Sequence, residues 1–182
     1  MSARPILAVA VVVAGALLTS SCGTAIKEGI GLFRGGQGTF VPTSPRHADP
    51  SLLARYTDFR IGAMNDETGL VPAGFFDHAR MQLQAELAEK GLLAAAGRTC
   101  LIEGDVVHFE TEGTVAIILG PMEEIVVKAR LVDQDTGEVL ARARCVGRID
   151  TRLNTGVEKV AEGLGKAFAA WIEANHPVSA QP

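Results

Sequence analysis

Residues 124–149 read EIVVKARLVDQDTGEVLARARCVGRI, two alternating segments separated by a polar centre. The segments 124–133 and 138–149 both place apolar side chains at every second position. Successive side chains of a strand point to opposite faces of its sheet, so each segment predicts a strand with one buried and one solvated face. Between them, DQDTGE (133–138) supplies the Asp and Gly residues that a tight turn needs. The stretch therefore predicts an antiparallel hairpin with one covered side.

The sequence before and after this hairpin predicts the rest of the domain. Two more alternating segments, YTDFRIGAM (56–64) and TCLIEGDVVHF (99–109), predict strands. Pro72 and Gly91 stand where a helix begins and ends, and residues 155–175 carry a wide apolar stripe at helical spacing. The order β-α-β-β-β-α predicts an α+β fold. We expect a two-layer sandwich with a mainly antiparallel four-stranded sheet and both helices on its apolar face.

The solvated face of the sheet has an uneven charge pattern. In a meander of the last three strands, Asp105 faces Lys128 and Glu103 faces Arg130. The last strand adds outward arginines without evident acidic facing partners, and these are candidate partner-binding residues: Arg142, Arg144 and Arg148. One interpretation is a solvated face with weak ion pairs. The other is a basic strip for an anionic lipid headgroup, a cell-wall polymer or an acidic protein surface.

A second candidate contact is the connection GTVAIILGP (113–121), which carries Ile117, Ile118 and Leu119 in succession. These side chains either extend the hairpin and fold over the core, or form an exposed apolar tip. An exposed tip would mark a contact with a protein or a membrane.

The amino terminus carries the features of a secretory leader. Arg4 precedes the apolar run ILAVAVVVAGALL (6–18), which is shorter than the roughly 20 residues that a membrane span requires. Small residues at positions 19–21 then lead to Cys22. This arrangement resembles the lipobox of bacterial lipoproteins, in which a signal peptidase cuts directly before a cysteine that carries lipid. The resemblance implies lipid attachment at Cys22, palmitate included, and hence a membrane tether.

The predicted organisation follows from this leader. In the resembled lipoproteins an aspartate after the cysteine signals the inner membrane, and here Gly23 stands in that place. The resemblance therefore implies the outer membrane, facing the periplasm. The predicted parts are a signal peptide (1–21), a lipidated Gly/Pro-rich tether (22–50), an α/β domain (51–176) and a disordered tail (177–182).

The composition and motifs exclude several chemistries. A net charge of −4 and 5% aromatic residues argue against nucleic-acid binding. The four histidines are scattered and form no metal-ligand spacing. GLGK (163–166) lies inside a helical pattern and indicates packing rather than a phosphate loop. We therefore expect no catalytic residues, no metal and no cofactor, and we expect that the protein is not an enzyme.

Two cysteines remain within the domain. In the meander register, Cys100 pairs near Asp133, about 25 Å along the sheet from Cys145. A disulfide requires α-carbons within about 7 Å. We therefore predict two buried free thiols, and a buried Cys145 is too inert to form a catalytic pair with His108.

LVDQDTGEV (131–139), preceded by CLIEGDV (100–106) and followed by a long terminal helix, resembles uncharacterised bacterial envelope lipoproteins. The resemblance implies a lipidated cysteine, a linker and one small α/β domain. It supplies no catalytic residues. A looser likeness to auxiliary lipoproteins of envelope transport systems implies a scaffold role. We expect a non-catalytic binding or assembly module, and the alternatives are a transport auxiliary, a structural role in the envelope, or a hydrolase with an unrecognised site.

Overall fold

A computed structural model of the chain describes residues 35–44, 51–94, 97–110, 123–149 and 156–177. These residues form one compact unit that begins at Gly35. Within the described residues, no helix is long and apolar enough to cross a membrane.

Several predicted features lie outside the described residues. They are the signal peptide (1–21), the lipid-attachment residue Cys22, the candidate contact residues Ile117, Ile118 and Leu119, and nearly all of the predicted tail. Most of the predicted tether lies outside as well.

Five strands and two helices make up the described part. In chain order they are β1 (Gln37–Ser44), β2 (Tyr56–Asp66), α1 (Phe75–Glu89), β3 (Arg98–Glu110), β4 (Glu123–Asp133), β5 (Val139–Ile149) and α2 (Val157–Ala174). Every strand and helix predicted from the sequence is present, with ends shifted by three residues or fewer. Gly91 has φ 66°, the left-handed conformation that ends a helix such as α1.

The sheet has five strands in the order β1-β5-β4-β3-β2, and it is mixed. All neighbours are antiparallel except β2 and β3, which are parallel. The predicted four-stranded sheet is therefore wrong in strand number; the sheet is mainly antiparallel, as predicted, and the prediction did not include the parallel pairing of β2 with β3. Helix α1 connects β2 to β3, and a helical crossover is the connection that brings two successive strands into parallel pairing.

The additional strand, β1, lies within the segment predicted to be a tether. It pairs along the outer edge of β5, with Phe40 opposite Cys145. Helix α2 packs closely against it, since a Cβ on Gly163 would lie 2.5 Å from the carbonyl oxygen of Gln37. Gly165 allows the same close approach to α1, where a Cβ would lie 2.7 Å from the carbonyl oxygen of Ala79. The interpretation of GLGK as a packing element is confirmed.

The core lies between the sheet and the two helices. Its largest buried side chains come from both layers and include Tyr56, Phe59, Leu83, Phe168 and Trp171. Both helices contribute buried faces to this single apolar cluster. The α+β sandwich predicted from the sequence is confirmed, and the opposite face of the sheet carries the charged side chains.

A candidate anion-binding face on the sheet

Four cations form a compact grid on the outer face of β4 and β5. In the register of these strands, Lys128 stands opposite Arg144 and Arg130 stands opposite Arg142. Directly opposite side chains have Cβ atoms about 5 Å apart, and side chains two residues apart on one strand are about 7 Å apart. We call these four residues the basic face. Like charges placed directly opposite one another destabilise a sheet, so the fold itself does not favour this arrangement.

Among the described strands, acidic neighbours flank the basic face on the β3 side only. On β3, Glu103 stands opposite Arg130 and Asp105 stands opposite Lys128, as predicted from the sequence. A carboxylate oxygen of Glu103 lies 3.1 Å from a guanidinium nitrogen of Arg130. The β4 half of the basic face is therefore partly neutralised.

The β5 half has no such compensation. Arg142 and Arg144 are exposed, and neither forms an ion pair with an acidic side chain of the described residues. Their neighbours on β1 are uncharged, with Ser44 opposite Arg142 and Val41 opposite Arg144. The uncompensated positive charge of the sheet is thus concentrated along β5.

Arg148 differs from the other two predicted arginines. It stands opposite Glu124 on β4 and opposite Gln37 on β1. The prediction that Arg148 lacks an acidic facing partner is wrong, because Glu124 occupies the paired position. Arg148 therefore adds less free charge than Arg142 and Arg144.

The basic face surrounds an open depression of about 430 Å³, whose lining also includes Thr43 and Asp105. Arginine guanidinium groups bind carboxylate and phosphate oxygens with two parallel hydrogen bonds, and lysine adds a point charge. Several cations within about 7 Å of one another can therefore bind a group or a surface that carries more than one negative charge. The arrangement can bind and orient an anion.

A second charged cluster lies at the end of the sheet, and the sequence did not predict it. Asp133 is fully buried, and its Oδ2 accepts a 2.5 Å hydrogen bond from the Tyr56 hydroxyl. A guanidinium nitrogen of Arg98 lies 2.5 Å from the same oxygen. The other oxygen, Oδ1, accepts hydrogen bonds from the backbone amides of Asp135 and Thr136 at 2.9 and 3.0 Å. We call this cluster the Asp133 network.

The electrostatics of the Asp133 network favour a fixed structural role. The hydrogen bond from Tyr56, together with the turn amides and Arg98, holds the pKa of Asp133 well below its usual range despite burial. Burial, together with the hydrogen bond to Asp133, raises the pKa of Tyr56. Both groups therefore keep their ordinary charge states at neutral pH. The turn interpretation of DQDTGE is confirmed, and the network ties that turn to β2 and β3.

The two cysteines of the domain are buried and free, as predicted. Cys100 pairs with Asp133 as predicted, and Cys145 pairs with Val127, so their positions are six residues of β4 apart, about 20 Å instead of the predicted 25 Å. Burial raises the pKa of the Cys100 thiol to about 12 and raises that of Cys145 further. Both thiols are therefore protonated and unreactive in the folded protein.

The described histidines lie apart from one another. His176 is buried beside the carbonyl oxygen of Tyr56, whereas His78 and His108 lie near the carboxylates of Glu158 and Glu110. Across the described ranges, no group of three or more His, Cys, Asp or Glu side chains is placed to hold a metal ion.

Several solved structures are similar to this chain. PelC from Paraburkholderia phytofirmans, a dodecamer, matches with 20% identity over 74% of this chain and 97% of that chain, at a TM-score of 0.47. A minor lipoprotein from Acinetobacter baumannii matches with 16% identity over 66% and 94% of the two chains, at a TM-score of 0.39. A Xanthomonas campestris protein of the family DUF330 matches with 17% identity over 71% and 86%, at a TM-score of 0.42.

Neither a protein-family model nor a curated protein matches the sequence. A bacterial minor lipoprotein is thus among the solved structures that are similar to this chain, the kind of protein that the sequence resembles. The likeness lies in the path of the chain, and the function is therefore derived from the side chains of this protein.

Proposed function

We propose that this protein is a lipid-anchored bacterial envelope protein and that its basic face binds an anionic partner without catalysis. The observation that carries the proposal is the register of β4 and β5, which sets Lys128 against Arg144 and Arg130 against Arg142. Each like-charge pair opposes folding, and an anion bound between the four cations would offset that repulsion.

A non-catalytic role is supported by the position of the shifted ionisable groups. Tyr56 and Asp133 contact one another at the end of the sheet, away from the basic face. Cys100 and Cys145 are enclosed in the core. These four groups with shifted pKa values therefore take part in packing and hydrogen bonding and are not directed into a cleft.

The anchor is proposed at Cys22, with the domain facing the periplasm from the outer membrane. Three acyl chains on one cysteine would hold a domain firmly, because each buried methylene contributes about 0.8 kcal/mol. Mass spectrometry of the mature protein tests this step. We expect an amino-terminal cysteine that carries lipid, and an unmodified amino terminus at another residue would contradict the anchor.

Anion binding is tested with heparin as a polyanionic probe and the full-length lipoprotein in neutral detergent. The variant Arg142→Gln/Arg144→Gln removes the two uncompensated cations without removing side-chain bulk. A surface cation near an anionic partner contributes about 1 kcal/mol, so the double variant should bind about thirtyfold more weakly at low salt.

The matched control is Arg80→Gln, since Arg80 is a half-exposed arginine on α1, in the other layer, paired with Asp77 at 2.6 Å. We expect heparin binding of this control to equal that of the unaltered protein. Equal binding by the double variant and the control would overturn the proposal.

A further inference from the structure

The uncompensated arginines lie on β5, the strand that pairs with β1, where Val41 stands opposite Arg144 and Ser44 stands opposite Arg142. Strand β1 begins at Gln37, which pairs with Arg148 on β5. Two neighbouring strands are about 4.8 Å apart, so the first residue of β1 lies within one strand spacing of the arginine-bearing strand. The first strand of the described residues is therefore the direct neighbour of the strand that carries Arg142 and Arg144.

The length of that segment limits how far the domain can stand from its anchor. Cys22 and Gln37 are separated by 15 residues. A fully extended chain spans at most about 3.3 to 3.6 Å per residue, which gives a limit of about 50 Å. A domain anchored at Cys22 therefore always remains within reach of the bilayer surface, and contact with that surface is effectively intramolecular.

The chemistry of this edge fits an anionic bilayer surface. The outward side chains of β5 include Arg142 and Arg144. Strand β1 adds Thr43 and Val41, and the exposed fraction of Val41 is 61%. No acidic side chain stands on β1. Basic residues beside an exposed apolar side chain bind the headgroup region of membranes, where phosphates pair with the cations.

The far side of the same face has the opposite character. Glu103 and Asp105 project from β3, two strands away from β5. Negatively charged lipids attract the β1–β5 edge and repel the β3 side. The charge asymmetry thus selects one orientation of the domain on the membrane.

We infer that the β1–β5 edge, through Arg142, Arg144 and Val41, docks on the anionic headgroups of the same bilayer that holds Cys22. This inference rests on the proposed function, because it requires both the anchor and the anion-binding role of the basic face. Docking would hold the sheet close to the membrane and leave the helical layer, with α1 and α2, directed away from it.

The experiment compares two labelled positions on the full-length acylated protein in vesicles. A fluorophore is attached at Thr43→Cys on the β1–β5 edge or at Met81→Cys, a position on α1 with an exposed fraction of 62%. Cys100 and Cys145 are buried and do not compete for the label. The vesicles contain a headgroup-linked quencher in phosphatidylcholine alone or in an equal mixture with phosphatidylglycerol.

In the anionic vesicles we expect stronger quenching at position 43 than at position 81. The difference should disappear in phosphatidylcholine, in high salt and in the Arg142→Gln/Arg144→Gln background, and it should persist in Arg80→Gln. Equal quenching at the two positions in anionic vesicles would overturn the inference.

The two proposals fail in distinguishable ways. If the unaltered protein binds heparin but quenching is equal at positions 43 and 81, the basic face binds an anionic polymer or protein instead of lipid. This result contradicts the docking inference alone. If the unaltered protein does not bind heparin, or if its mature amino terminus is unmodified, the proposed function itself is contradicted.

Discussion

The Asp133 network and the basic face use charge in opposite ways. In the Asp133 network, a buried carboxylate meets a tyrosine hydroxyl, an arginine and two backbone amides, so both oxygens have partners. On the basic face, four cations stand in two like-charge pairs, and three of the four are exposed. The charge of the first cluster is paired and hydrogen-bonded, whereas the second cluster sets like charges opposite one another.

This difference separates residues that hold the fold from residues available to a partner. A buried charge is tolerated only when it is paired and hydrogen-bonded, which Asp133 satisfies. Exposed cations are not required by folding, and placing them opposite one another costs stability. The arginines of β5 are therefore better explained by a contact outside the domain than by a role within it.

The largest effect is expected for Asp133→Asn, which removes the charge of the Asp133 network while keeping its shape. Arg98 then lies against a neutral amide, and the Tyr56 hydroxyl loses a charged acceptor. The free energy of unfolding, measured by urea denaturation at pH 7, should fall further than in Tyr56→Phe or Glu103→Gln. A variant as stable as the unaltered protein would contradict the structural role of the network.

The same variant should change the acid dependence of stability. Because the pKa of Asp133 is lowered by folding, its carboxylate stabilises the protein above the unfolded-state pKa, near 3.8. This contribution is lost as the pH falls through the lower folded-state value. The stability difference between Asp133→Asn and the unaltered protein should therefore be constant above about pH 5 and shrink below about pH 4. Parallel pH profiles would contradict the lowered pKa.

A smaller loss is expected for Tyr56→Phe. The phenylalanine fills the same buried site but removes the hydrogen bond to Asp133, which retains Arg98 and the turn amides. A hydrogen bond to a charged group contributes about 1.5 to 3 kcal/mol, and urea denaturation should show a loss in this range. In the double variant Tyr56→Phe/Asp133→Asn the two losses should not add, and additive losses would show that these residues do not interact.

The next smaller change in stability is expected for Glu103→Gln, which removes the ion pair with Arg130. A half-exposed pair contributes at most about 1 kcal/mol, so the unfolding free energy should fall only slightly. Heparin binding should become stronger, since Arg130 joins the uncompensated cations. The control is Asp58→Asn, which breaks a similar pair with Arg60 on β2, and it should leave heparin binding unchanged. Equal heparin binding by the two variants would contradict the charge map of the face.

Much of this fold follows from alternation in the sequence. The pairing of Asp105 with Lys128 and of Glu103 with Arg130 was predicted because the last three strands were placed in a meander and because a period of two restricts the register of neighbouring strands. The pairing of Cys100 with Asp133 followed from the same register. Burial of both thiols was predicted for the same reason.

Strand β1 could not be predicted in this way. Its sequence, QGTFVPTS, contains Gly38 and Pro42 and has no extended alternation. Its structure depends on the free edge of β5 and on the close packing of Gly163 against Gln37, which are tertiary contacts. Local propensity carries no signal for such contacts.

The Asp133 network was missed for a related reason. The sequence assigned Asp133 to the turn, and the structure confirms this role. The turn amides, however, bind only Oδ1 of the carboxylate. Its second partner, Tyr56, lies 77 residues away in sequence and meets it only through the sheet order. Tyr56 is the one tyrosine of the chain, and a buried hydroxyl requires a partner, which is the signal that sequence reasoning could have used.

The most direct test of the central claim is the free energy of unfolding of Arg142→Gln/Arg144→Gln in low salt, without any anionic ligand. If these arginines are present for a partner, removing them relieves two like-charge pairs, and stability should stay the same or rise by up to about 1 kcal/mol per pair. Arg80→Gln, which has no like-charge neighbour opposite it, should show no gain. A double variant less stable than the unaltered protein by more than about 1 kcal/mol would show that the arginines serve the fold.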